Sequence, residues 1–376
     1  MFLSTRFNGL AFLLTTCVVP QDVPQPTSRH PLRELEGKLD SILTSTTKGS
    51  TQRKEQLDAV SASALELIRT VSDLDTVAAA AILGVGACEA RAEGTVGPDW
   101  STIVRAAIEK TAETAHSEPI MRRLLSSCRI RDLRVLDELA YFSSDDSKLT
   151  RSVRGMATLG CARWYLEGDR SGTVLSEKDV ASCLSFLMTL ESDYSDVSSP
   201  QQDSHIQTMQ HWAKWCRAEL TSFRLGADFP KLETHDVDGR EVTSQTLEGK
   251  VTIVDVMGFT GSRESDLGLV KLRASLLHEF PGETPLLIAV VSNEGSGEYG
   301  KELFARMREL GWSHVIRGRG LNTDGSTVSS VMNVPPSCRV IVLDAHHVVR
   351  WKSTSPETYF GNEALLSAVK SVASRH

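Results

Sequence analysis

Nowhere in the 376 residues do two cysteines form a C-x-x-C pair, although the chain holds seven cysteines. No Cys/His spacing suits a zinc site. His205 and His211, six residues apart, sit about 120° out of line on a helix and make poor co-ligands. No metal and no cofactor is therefore expected. Past the N-terminus no window holds 18 uninterrupted apolar residues, so no membrane span is expected in the mature chain. A basic excess is lacking as well: 41 Lys and Arg stand against 48 Asp and Glu, a net charge of −7. That balance argues against a dedicated nucleic-acid or anionic-membrane binder, because phosphate affinity needs clustered cations. What remains is an ordinary globular composition, 40% hydrophobic and 24% charged, long enough for about two domains.

The first 22 residues read as a signal peptide. Arg6 precedes an apolar run from Gly9 to Val19, which Pro20 and Asp22 end; the run has the length of an h-region and is too short to span a bilayer. Leu14-Thr15-Thr16-Cys17 resembles a lipoprotein cleavage box, although Thr16 is larger than the small residue usual there; a lipid anchor at Cys17 is the second option. Residues 23–31, with Pro24, Pro26 and Pro31, form a stiff extended tether. The localisation expected is extracytoplasmic, in the periplasm or cell envelope.

Residues 32–224 show apolar positions at helical spacing and almost no strand alternation. Leu57, Val60, Ala64, Leu67 and Val71 share a face. So do Val153, Met156, Ala157, Gly160 and Trp164, and later Met209, Trp212, Trp215 and Phe223. Breaks fall at Gly97-Pro98-Asp99, at Ser117 ahead of Pro119, and at Ser143-Ser144-Asp145-Asp146. About eight helices result, an all-helical domain. Gly160–Leu166 resembles the first helix of a tetratricopeptide repeat, but no 34-residue period is sustained. Cys88, Cys128, Cys161, Cys183 and Cys216 lie on apolar helical stretches and read as small buried side chains. Structural disulfides remain the other reading, with 15 pairings open to six cysteines.

From residue 225 to 376 the period changes to strands alternating with helices, an α/β domain. Val251–Met257, Leu286–Val291 and Val340–Leu343 are apolar runs suited to central strands. Amphipathic stripes follow at Leu269, Leu272, Leu276 and Leu277, and at Tyr299, Leu303, Met307 and Leu310, closed by Gly311. A last helix carries Leu365, Leu366, Val369 and Val372 behind Asn362, an N-cap. Asp236-Val237-Asp238-Gly239-Arg240 lacks the remaining ligands of a calcium loop and reads as a hairpin turn.

Three segments then carry a resemblance: Leu225-Gly226-Ala227-Asp228-Phe229-Pro230, Asp236–Arg240 and Leu247-Glu248-Gly249-Lys250-Val251. With Ile288–Ser292, Val340–Asp344 and Val348–Lys352, they make residues 225–372 similar to thioredoxin-like domains of the TlpA/ResA type, related to AhpC/TSA peroxiredoxins. The resemblance implies a three-layer α/β/α domain with a mixed central sheet. It also implies a W-C-x-x-C motif after the strand Val251–Met257, where helix N-terminal amides stabilise a thiolate. Aligned without gaps, that motif falls on Thr260-Gly261-Ser262-Arg263-Glu264, so both sulfur positions are lost to Gly261 and Glu264. No residue from Gly258 to Gly268 is cysteine, which removes the peroxidatic position too. The family's cis-proline position, counted back from Asp344, is Cys338, within Pro335-Pro336-Ser337-Cys338-Arg339.

Disulfide exchange requires a thiolate, so the expected function is a redox-inactive protein- or peptide-binding or scaffolding module. Gly258, Thr260, Gly261, Ser262, Arg263 and Glu264 would line a groove with Pro335–Arg339, and the partner is an unidentified protein or peptide. The alternative is a divergent thiol–disulfide oxidoreductase using Cys338 with a cysteine of the helical domain; without that chemistry there is no enzyme to expect. Ser262 caps the helix or, with Arg263, holds an anion; Gly258-x-x-Gly261-Ser262 is not a nucleophile elbow. His346-His347 reads as a solvated turn, and Arg317-Gly318-Arg319-Gly320 as a connection.

Overall fold

The computed structural model describes residues 29–45, 50–91, 95–145, 147–203, 206–257, 274–280, 285–291, 305, 308–309, 311–317, 340–353 and 363–374. Among them the chain first forms α1 (Arg29–Ser45), α2 (Thr51–Thr70), α3 (Leu74–Arg91), α4 (Trp100–Thr111), α5 (Ser117–Ser127) and a 3-10 turn (Cys128–Ile130). Then come α6 (Leu133–Ser143), α7 (Arg151–Arg170), α8 (Glu177–Ser192) and α9 (Met209–Ser222). Several of them start at short polar side chains that accept otherwise orphaned amides. Ser50 accepts from Arg53 N, Thr150 from Val153 N and Asp132 from Arg134 N, while Ser176 and Asp179 close a reciprocal capping box. At the other end of α2, Lys110 Nζ donates to the carbonyls of Ile68 and Val71 at 2.7 and 2.6 Å, satisfying the last turn.

The helices stack in two rows. α1, α3, α5, α7 and α9 follow one another, each packed on the next, and α2, α4 and α6 form a second row alongside. Close approach is possible because the inner helices are lined with small residues: a Cβ on Gly84 of α3 would lie 2.9 Å from the Ala64 methyl, and one on Gly160 of α7 2.9 Å from Leu139. The stripes anticipated from periodicity are buried at Leu57, Val60, Ala64, Val153, Met156, Ala157, Trp164, Met209, Trp212 and Phe223. Among the described residues no helix is long and apolar enough to cross a membrane.

Two expectations for this part need correction. It is not all-helical: β1 (Ser198–Asp203) and β2 (Ile206–Thr208) pair antiparallel between α8 and α9. The tether does not extend to residue 31 either, since α1 starts at Arg29; Pro31 is tolerated because its missing N–H falls in the first turn, where no intrahelical partner exists.

Beyond α9 the described residues form a hairpin, β3 (Glu233–His235) with β4 (Glu241–Thr243), the single turn α10 (Ser244–Leu247), and a five-stranded sheet. Its strands are β5 (Thr252–Met257), β6 (Leu286–Val291), β7 (His314–Arg317), β8 (Val340–Leu343) and β9 (Val349–Ser353), in the order β7-β6-β5-β8-β9. β5, β6 and β7 run parallel, whereas β8 is antiparallel to β5 and β9 to β8. The sheet is therefore mixed, as the resemblance implied.

Both faces are buried, which is why the strands read as unbroken apolar runs rather than alternating ones. Ile253, Leu287, Ala289, Val340 and Val342 pack on α11 (Glu363–Ala373) through Leu365, Val369 and Val372. Val254, Ile288, Val290, Ile341 and Leu343 pack on Phe223, Leu225, Phe229, Leu232, Val242 and Leu247. Among the described residues this second layer is the hairpin and α10 rather than a long helix. Of the Leu276–Leu277 stripe only Leu276 is buried; Leu277 is 48% exposed. Asn362, Leu269, Leu272, Tyr299, Leu303, Met307 and Leu310 lie outside the described residues.

Candidate functional site

In open α/β sheets, ligands meet the carboxyl ends of the parallel strands. Here those ends coincide: Met257 pairs with Val291, and Val291 with Arg317. β8 starts at the same edge, because Val340 pairs with Asp255. The expected site residues Gly258, Thr260, Gly261, Ser262, Arg263 and Glu264 follow directly on β5, and Pro335, Pro336, Ser337, Cys338 and Arg339 directly precede β8. All eleven lie outside the described residues; what the fold supplies is the single sheet edge from which both segments depart. The same edge holds a residue that sequence reasoning passed over. Asp255 is fully buried in β5 between Ala289 and Val340. Its signal was an acid inside an otherwise apolar run, a placement that costs free energy and so marks a position to examine.

Two tight turns frame the sheet, and they share one design. Asp236 Oδ1 accepts from the amides of Asp238 and Arg240, both at 2.9 Å, while Oδ2 accepts from Arg240 Nε at 2.8 Å and faces His314 Nδ1 at 3.0 Å. Burial works to raise the Asp236 carboxyl, but these donors outweigh it and hold its pKa below the ordinary range. With its oxygens so engaged, the segment is a hairpin turn, closed by Gly239 at φ 79°. Asp344 repeats the arrangement, accepting from the amides of His346 and Val348 at 2.9 and 3.0 Å and from Arg350 Nε at 2.7 Å. His346-His347 is thus the turn between β8 and β9, with His347 taking the left-handed position at φ 63°. Arg317 ends β7, and Gly318, Arg319 and Gly320 lie outside the described residues. Among the described residues no group of three or more His, Cys, Asp or Glu is placed to hold a metal ion.

The helical cysteines are decided more sharply. Cys88, Cys128, Cys161, Cys183 and Cys216 are all free thiols and all buried. Cys88 Sγ lies 3.3 Å from Ser61 Oγ, Cys128 Sγ 3.4 Å from the Gly160 carbonyl and Cys183 Sγ 3.5 Å from the Ala162 carbonyl. Burial pushes Cys88 up to about 11 and Cys128 and Cys183 to about 12, and it raises Cys161 and Cys216 as well. Such thiols are neither thiolates at neutral pH nor accessible, so they behave as core side chains. Cys17 and Cys338 lie outside the described residues.

On the helical rows an open depression of about 500 Å³ lies between α4 and α6, lined by Ser101, Thr102, Arg105, Ala106, Glu109 and Glu138. Arg105 Nε donates to both Glu138 oxygens at 2.9 and 2.8 Å, and its guanidinium stands 5.3 Å from the centre of the half-exposed Tyr141 ring.

No protein-family model matches the chain, and no curated protein matches it either. Solved structures do align with part of it. The thioredoxin domain of a thiol-disulfide oxidoreductase from Bacteroides vulgatus is 18% identical, with a TM-score of 0.28, over 38% of this chain and 99% of that one. A thiol:disulfide interchange protein from Bacteroides sp. is 17% identical, with a TM-score of 0.29, over 38% of this chain and 90% of that one. A SCO1/SenC family lipoprotein from Bacillus anthracis is 17% identical, with a TM-score of 0.30, over 41% of this chain and 99% of that one.

Proposed function

We propose that the chain is an exported, two-domain protein whose C-terminal half, residues 225–376, is a thioredoxin-like domain of the TlpA/ResA type that has given up redox chemistry and binds an extended peptide or protein segment. The binding groove is formed by Gly258–Glu264 and Pro335–Arg339 at the carboxyl edge of the sheet. The observation that carries this reading is the state of the sulfur. The chain holds no C-x-x-C pair, the gapless alignment puts Gly261 and Glu264 where the resemblance calls for a dithiol, and the five helical thiols are locked in the core with raised pKa values. The alternative, a thiol–disulfide oxidoreductase pairing Cys338 with a helical cysteine, would need one of those helices to open first.

The sheet's lateral edges support the choice of groove. A peptide adding as a sixth strand needs a free edge, yet Val237 N already donates to Val315 O on β7 at 2.8 Å. On β9, Gly226 N donates to Val349 O at 2.8 Å and Val349 N to Ala227 O at 2.9 Å. Both flanks are covered at these points, which disfavours strand addition there and supports the carboxyl edge as the place of contact. The depression around Arg105 supplies a second surface on the helical half.

The test is binding of a permanently unfolded polypeptide, such as reduced and carboxymethylated α-lactalbumin, to the full chain by fluorescence anisotropy. Saturable binding weakened at least fivefold by Glu264→Arg or Arg339→Glu is expected. Absence of binding, or binding indifferent to both substitutions, would sink the groove.

A further inference from the structure

The helical and sheet parts meet across a buried cluster of charges that neither part completes alone. Lys352 lies on β9 opposite Ile341. Directly opposed residues of an antiparallel pair share a face, so Lys352 leaves the sheet on the side that packs against Phe223 and Leu225. There its ammonium bonds Asp169 Oδ2, at the end of α7, and Glu219 Oε1, in α9, the latter at 3.2 Å. The Lys352 side chain is 1% exposed and both carboxylates 0%. From the other side Arg170 grips Glu219 with Nε at 2.9 Å and Nη2 at 2.7 Å, and Arg170 also pairs with Glu167 at 3.2 Å. Arg163 joins Glu167 at 3.4 Å. Among the described residues three cations alternate with three carboxylates, and one of the cations comes from the opposite half of the molecule.

The connecting chain is stitched to both sides as well. Leu225 N donates to Asp169 Oδ1 at 2.9 Å, and the next residue, Gly226, donates to Val349 on β9. The segment that would act as a hinge is therefore fixed to α7 on one side and to the sheet edge on the other.

A buried ion cluster adds little net stability over a well-packed apolar contact, because desolvation offsets most of the attraction. Its effect is on which arrangement is allowed. Any shift of the sheet part that kept the apolar faces together but moved Lys352 off its carboxylates would bury uncompensated charge, which is strongly disfavoured. Apolar burial through Phe223, Phe229 and Leu232 is non-directional, whereas the charges require their partners.

We propose that this cluster is a docking key: it admits one arrangement of the two halves and makes them open and close as a single cooperative unit, with Lys352 as the required cation. Lys352 is one residue from the pair that starts the β8–β9 ladder, so the key holds the ladder at the end where β8 begins.

The deciding measurement is peptide-resolved hydrogen exchange on the full chain, wild type against Lys352→Met, Lys352→Arg and the charge-swapped pair Asp169→Lys with Lys352→Asp. In Lys352→Met the slow amides of α9 and of β8–β9 should accelerate together by at least tenfold, while those of α2 and α3 hold their rates. Lys352→Arg should give a smaller, still joint, acceleration, and the swapped pair should recover part of the protection lost. Acceleration confined to β8–β9, or none in either part, overturns the proposal. Should Lys352→Met not fold, the wild type decides: slow amides of α9 and β9 sharing one urea dependence support the key, and two separate unfolding transitions refute it.

Discussion

Removing the charge of Glu219 gives a quantitative check on the buried cluster. Burial alone would raise its pKa, but Arg170 and Lys352 outweigh burial and hold the carboxyl at about 2 against an ordinary 4.5. Because the folded-state pKa is the lower one, the associated stability is present in full above about 4.5 and is lost as pH falls through about 2. At ~1.36 kcal/mol per unit this amounts to about 3 kcal/mol, of which roughly half is gone by pH 3. Glu219→Gln cannot titrate, so the difference in unfolding free energy between wild type and variant should be nearly constant from pH 7 to 5 and shrink by roughly half of that amount by pH 3. Other depressed carboxyls, Asp132, Asp236 and Asp344, titrate in both proteins and cancel in the difference. Urea unfolding at pH 7, 5, 4 and 3 and constant ionic strength measures it. A difference that stays constant across this range would show that Glu219 is not held ionised by its two cations, and the reasoning would fail.

Three further outcomes are expected. Gly160→Ala should destabilise by about 1–2 kcal/mol despite its better helix propensity, because the added methyl meets Leu139 at 2.9 Å and Leu125 at 3.1 Å; urea midpoints read it, and a stabilised variant contradicts the packing of α5, α6 and α7. Gly239→Ala should cost about 1 kcal/mol, since Gly239 stands at φ 79°, whereas His347→Gly at the equivalent position should be neutral or slightly stabilising; thermal melts of the two variants give opposite or clearly unequal shifts. An aromatic disulfide reagent should leave Cys88, Cys128, Cys161, Cys183 and Cys216 unmodified in the native chain and titrate them only in denaturant; peptide mapping that finds any of the five modified natively would undo the case for inert core thiols.

Much of the sheet was legible because burial on both faces leaves a direct mark. Val251–Met257, Leu286–Val291 and Val340–Leu343 stand out as apolar runs and became β5, β6 and β8. The turns at Asp236 and Asp344 were equally readable, since an Asp that caps its own turn and a residue fit for positive φ are local requirements. The hairpin β1–β2 was not. Ser198-Ser199-Pro200-Gln201-Gln202-Asp203 has no alternation and weak strand propensity, so its pairing with Ile206–Thr208 comes from context. Nothing local marks Lys352 as buried: only partners 183 and 133 residues away make it so. The candidate groove was legible only as a loss: the sequence holds no C-x-x-C pair, while Gly258–Glu264 and Pro335–Arg339 lie outside the described residues.

The most direct test of the central claim is catalytic turnover of disulfides by the full chain, followed as the reduction of insulin with dithiothreitol as the electron source, for wild type beside Cys338→Ser. A domain that has discarded its dithiol should leave the rate at the uncatalysed background, with no difference between the two proteins. Turnover above background that disappears in Cys338→Ser would contradict the account and install the oxidoreductase in its place.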